Sequence, residues 1–87
     1  MRLNFRIEIF KEDDQYVAIA PELNVSSFGD NPDEAKSSLA EAVGLFLEEC
    51  KRMGTLEDVL TESRFKFDKR SWQAPSPLVT EQISLAI

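Results

Sequence analysis

The sequence predicts a mixed α/β fold: a four-stranded sheet with one long helix packed across one face. Three observations carry that expectation. Leu3, Phe5, Ile7 and Ile9 alternate with Asn4, Arg6 and Glu8, the two-residue period of a half-buried strand. Residues 31–54 combine a helix start, an apolar stripe and a helix stop. Leu78 to Ile87 alternates again, with Val79, Ile83, Leu85 and Ile87 on one face.

Taken in order, Leu3 to Ile9 is the first strand and Lys11 to Gln15 a polar turn. Tyr16 to Ala20 forms the second strand, and so short a connection implies an antiparallel hairpin. Pro21 ends that strand because it has no N–H to give to a ladder. Asn24 to Phe28 is a short third strand, stopped by Gly29. Asn31 then reads as an N-cap, with Pro32 at the first helical position and Glu34 completing a capping-box-like arrangement. Asp33 and Glu34 sit at the positive end of the helix dipole, and Lys51 and Arg52 at the negative end. Ala35, Leu39, Ala42, Val43, Phe46, Leu47, Cys50 and Met53 recur at three- and four-residue steps as one apolar stripe, and Gly54 supplies the stop. Thr55 with Asp58 reads as the cap of a short second helix through Leu60 or Glu62. Asp68 to Pro77 reads as an ordered loop, in which Trp72 either anchors a partner or covers the open end of the core. Leu78 to Ile87 closes the sheet. A right-handed return lays this strand parallel to the first, for the order β-β-β-α-(α)-β and sheet order 3-2-1-4.

Eighty-seven residues suffice for one domain, spanning 1–87, with a modest core. So small a core leads us to expect a homodimer or a higher even oligomer. The apolar terminal strand at the sheet edge is the expected interface, through Ile83, Leu85 and Ile87. No stretch approaches the roughly 20 apolar residues of a membrane span, and a single cysteine agrees with a reducing compartment, so a cytoplasmic location is expected. Sixteen acidic against ten basic side chains give a formal net charge of −6. That balance disfavours phosphate binding and favours a basic protein partner.

Catalysis finds little support. The chain has no histidine, which removes histidine bases and histidine metal ligands. Cys50 lies on the apolar stripe beside Glu48 and Glu49, the wrong setting for a nucleophilic thiolate. The first strand offers one carboxylate, Glu8, while Asp30, Asp33 and Glu34 are accounted for by helix capping. Neither an enzymatic activity nor a cofactor or metal is expected.

The run Tyr16-Val17-Ala18-Ile19-Ala20-Pro21-Glu22-Leu23, followed by Gly29-Asp30-Asn31-Pro32-Asp33-Glu34-Ala35, resembles the HicB-like antitoxin family. The helix ending in Leu45-Phe46-Leu47-Glu48-Glu49 fits the same pattern, and the resemblance covers about residues 3 to 51. Two departures stand out: Leu23-Asn24-Val25-Ser26 where the family often has Leu-Pro-Gly-Cys, and Asn31 where it usually has Thr. The resemblance implies a bacterial or archaeal antitoxin that neutralises a basic HicA-type toxin, a messenger-RNA-cutting protein that uses a histidine. Many family members add a C-terminal DNA-binding domain. The 33 residues after Gly54 hold the Trp72 loop and a strand-like end, so no separate DNA-binding domain, and no direct DNA binding by this chain alone, is expected. Candidate partner contacts are Glu8, Tyr16, Glu22 and Asp30. Two other readings stay open. One is a toxin-less interaction or regulatory module. The other is an RNA binder using the sheet face with Arg2, Arg6, Phe5 and Tyr16.

Overall fold

The apolar alternation at the N-terminus yields two strands where one was expected. In the computed structural model, which describes residues 2–87, β1 (Arg2–Asn4) and β2 (Glu8–Glu12) are separated by residues 5–7. Next come β3 (Gln15–Ala20), β4 (Val25–Gly29), α1 (Pro32–Met53), α2 (Leu56–Glu62), β5 (Lys66–Asp68) and β6 (Ser71–Gln73). The mixed α/β class agrees with the sequence, but the single four-stranded sheet does not. The strands form two three-stranded sheets, ordered β2-β3-β4 and β1-β6-β5.

The first sheet is the antiparallel meander expected from the short connections. Glu12 faces Gln15 across the β2–β3 turn, and Ala20 faces Val25 across the β3–β4 turn. Directly opposed residues share a face, so Ala18 and Ala20 point toward α1 and are fully buried. Two alanines in the middle of this sheet let the helix approach closely.

Helix α1 has the bounds its caps dictate. The Glu34 N–H donates to Asn31 Oδ1 at 2.8 Å, and Gly54 takes the left-handed conformation (φ 75°). Ala35, Leu39, Val43 and Cys50 are its buried positions, whereas Met53, at the end of the expected stripe, is exposed. Gly29 fixes how the helix meets the sheet. An added Cβ there would lie 2.5 Å from the Ala35 backbone nitrogen and 2.8 Å from the Glu34 carbonyl carbon. Only a residue without a side chain lets β4 run this close to the first turn of α1.

The short second helix exists, but Thr55 does not cap it. Its hydroxyl donates instead to the Cys50 carbonyl at 3.3 Å, tying the two helices together. Leu60 of α2 and the following Phe65 are buried, at 0% and 4% exposure, and complete the core.

The end of the chain departs most from expectation. The strand that returns parallel to β1 is β6, within the expected loop: Arg2 faces Ser71, Leu3 faces Trp72 and Asn4 faces Gln73. Leu78 to Ile87 forms no regular structure. Packing explains the exchange. Trp72 is half-buried against the core and meets Phe67 edge to face at 5.3 Å, giving a three-residue strand an aromatic anchor. The tail's alternating residues find no apolar surface in their own chain.

Candidate functional site

The two faces of the β2-β3-β4 sheet differ in what they offer a partner. Its helix-facing side is core. On the other side Phe10, Val17 and Phe28 stand in one row, set by the registers Phe10 to Val17 and Val17 to Phe28. Phe10 is 49% and Phe28 61% exposed, and Val17 is half-buried. The neighbouring row on that face is Glu8, Ile19 and Ser26, and Glu12 opposite Gln15 borders it on the other side. Asp13 and Asp14 form the adjoining turn. An apolar stripe of aromatic residues with a carboxylate rim is the usual anatomy of a protein-binding patch. Sequence reasoning missed Phe10 and Phe28 as surface residues; the opposite parity of Phe10 to Ile9 was a signal, whereas nothing around Phe28 in the sequence marked it.

The four partner-contact candidates fall into two separate groups. Glu8 and Glu22 are brought together by Arg6, whose guanidinium lies 3.2 Å from Glu8 and 3.0 Å from Glu22. Glu22 is nearly buried there, with Oε2 lacking any hydrogen-bond partner. Its charge is therefore held by Arg6 and contributes little to a long-range field. At the other end of β3, Tyr16 lies opposite Gly29, beside Asp30. Tyr16 has the parity of Ala18, packs half-buried on the core and has the Lys11 ammonium 6.0 Å from its ring centroid. The Asp30 backbone N–H donates to Glu34 Oε1 at 3.3 Å, one residue ahead of the N-cap amide that a capping box would use, while the residue itself is exposed.

Ile83, Leu85 and Ile87, the dimerisation candidates, are exposed to 79%, 75% and 119% in the single chain. Of the four residues considered for RNA on the sheet, Phe5 and Tyr16 pack half-buried on the core and Arg6 is ion-paired, while Arg2 is exposed.

A second concavity, of about 630 Å³, lies between the end of α1, α2 and the β5–β6 hairpin. Leu56, Phe67 and Trp72 form its apolar wall, with Lys51, Arg70 and Glu57 at its border. The charges of the chain are divided between these two regions. Residues 1–50 carry eleven carboxylates and four basic groups, whereas residues 51–73 carry six basic groups and four carboxylates.

Among the described residues no cluster of three or more His, Cys, Asp or Glu side chains could hold a metal ion, and Cys50 is buried. No helix among the described residues is long and apolar enough to cross a membrane. No protein-family model, no curated protein and no solved structure matches this chain.

Proposed function

We propose that this protein is a cytoplasmic interaction module of the HicB-like antitoxin type. It neutralises a small basic RNA-cutting toxin of the HicA type by forming a complex, with no chemistry of its own, and it works as a homodimer. The observation that carries this reading is the exposed Phe10–Val17–Phe28 row with Glu8, Glu12, Asp13 and Asp14 around it. Aromatic side chains anchor protein interfaces, and a carboxylate rim attracts a basic surface. The order of motifs from Tyr16 to Ala35 and the excess of carboxylates in residues 1–50 support the same assignment.

Co-expression with the basic, histidine-containing product of a neighbouring reading frame tests the proposal. The expected result is restored growth and co-elution of the two purified proteins. Phe28→Glu puts a charge on the most exposed aromatic of the row and abolishes both without unfolding an exposed site. Growth rescue without a physical complex refutes the mechanism.

The groove lined by Phe67 and Trp72 favours a second reading, a regulatory module without a toxin that captures an apolar side chain of another protein. Loss of partner binding in Phe67→Ala, with Phe28→Glu silent, selects it.

A further inference from the structure

The edge of the sheet along residues 5–12 and the tail 78–87 are complementary halves of an unmade contact. β6 follows β1 only as far as Ala74, whose N–H donates to the Asn4 carbonyl at 2.9 Å. Pro75 and Pro77 come next and have no N–H to continue a ladder on both sides. From there the edge is bare, and all five residues of β2 are exposed. A groove of about 280 Å³ opens between this edge and α1, lined by Phe5, Ile7, Lys36, Leu39 and Ala40. The tail carries Val79, Glu81, Ile83, Leu85 and Ile87 at one parity, and its four apolar members are between 64% and 119% exposed. Glu81 is the one charged residue of the tail and Lys36 the one charged residue of the groove, and among the described residues neither is ion-paired.

We infer that the tail of a second copy occupies this edge as an added strand, with Ile83 and Leu85 over the groove and Glu81 against Lys36. In its own chain the tail leaves this edge bare, with its apolar residues exposed, and the register of β6 would carry it too far along the strand. Because Arg2 faces Ser71 and Asn4 faces Gln73, continuing that ladder sets Val79 opposite Phe10 and Ile83 opposite Asp14. Asp14 lies beyond Glu12, the last residue of β2, so Ile83, Leu85 and Ile87 would overshoot the strand. A second copy is free of that register, and a two-fold axis lets each chain give its tail and receive the other's. An open edge taking an extended segment is the general mode of strand addition. The inference deepens the homodimer of the proposed function and stands apart from the identity of any toxin.

The test uses the full chain, with mass by light scattering and hydrogen exchange. The unmodified protein is expected at about twice 9.9 kDa, with slowed exchange at residues 6–12 and 79–87. Leu85→Lys is expected to be a folded monomer with both segments exchanging fast, since that residue touches no core. Lys36→Glu is expected to weaken the dimer about five-fold per contact, hence ~25-fold for two contacts, and adding Glu81→Lys to restore it. A dimer that survives Leu85→Lys, or a charge reversal that is not rescued, overturns tail exchange while leaving the homodimer standing. A monomeric unmodified protein overturns both.

Discussion

Replacing Gly29 with alanine adds one methyl group where the structure has no room for it. The new Cβ would stand 2.5 Å from the Ala35 nitrogen, against the 3.4 Å of ordinary contact, a shortfall of 0.9 Å. Its neighbours, the Ala35 nitrogen and the Glu34 carbonyl carbon, are backbone atoms of the first turn of α1 and cannot rotate aside. Relief requires β4 and the helix to separate, across a contact that also buries Ala35 and Ala18. Overpacking of this kind costs ~1–3 kcal/mol. Each kcal/mol shifts Tm by ~4–8 °C in a domain of this size, so a cost near 2 kcal/mol lowers Tm by ~8–16 °C. Gly44→Ala is the matched control. It lies in the exposed middle of α1 with nothing within 4 Å of an added Cβ. It should stabilise by ~0.5–1 kcal/mol, because glycine is a poor helix residue. Thermal melts followed by circular dichroism at 222 nm, run on both variants, read out the two signs. A Gly29→Ala protein that melts together with the unmodified one refutes the account of why a glycine stands there.

Other expectations follow from single contacts. Asn31→Ala removes the acceptor for the Glu34 N–H and should cost ~1 kcal/mol by chemical denaturation; an unchanged midpoint would mean that the cap is not the start of α1. Arg6→Ala leaves the nearly buried Glu22 carboxylate without its cation and should cost ~1.5–3 kcal/mol, whereas the exposed Glu8 arm of the same pair contributes little. The β5–β6 turn holds Lys69 and Arg70 at φ 48° and 67°, a conformation that favours Asn-Gly. The double change Lys69→Asn, Arg70→Gly should therefore raise Tm, and an unchanged or lower Tm contradicts the turn geometry. If the proposed basic partner exists, Glu12→Lys with Asp14→Lys should slow association with it, more at low salt than at high; stopped-flow rates that ignore salt would count against steering.

What the sequence disclosed was whatever depends on neighbours in the chain. Asn31, Pro32 and Glu34 cap a helix through contacts three residues long, and Gly54 stops it through its own backbone, so α1 could be bounded before any fold was known. The meander was legible for the same reason. Strands β5 and β6 were not, because three residues carry no period and their pairing rests on Trp72 meeting Leu3 and Phe67. Leu60 and Phe65 are buried, yet Leu60 stands in a helix of two turns, too short to display a stripe, and Phe65 follows that helix between Arg64 and Lys66. The tail misled because alternation describes a segment with two unlike faces and says nothing of where the apolar face is received. Glu22 reads as a free surface carboxylate until the fold brings Arg6 beside it.

The parallel pairing of β1 with β6 sets a timetable for folding. The ladder joins Arg2 to Ser71, so the first strand to be synthesised is among the last to be paired. At ~5–20 residues per second, the 68 residues between those partners take roughly 3 to 14 s to make. The β2–β3–β4 meander and α1 depend on shorter loops and close earlier, leaving Leu3 and the core above it uncovered while the ribosome completes β6. The same ladder holds only three residue pairs, as the β5–β6 ladder does, against five in each pairing of the meander. Opening that ladder would free the N-terminal strand and the Trp72 hairpin together, so hydrogen exchange there is expected to outpace exchange in the helix-covered meander.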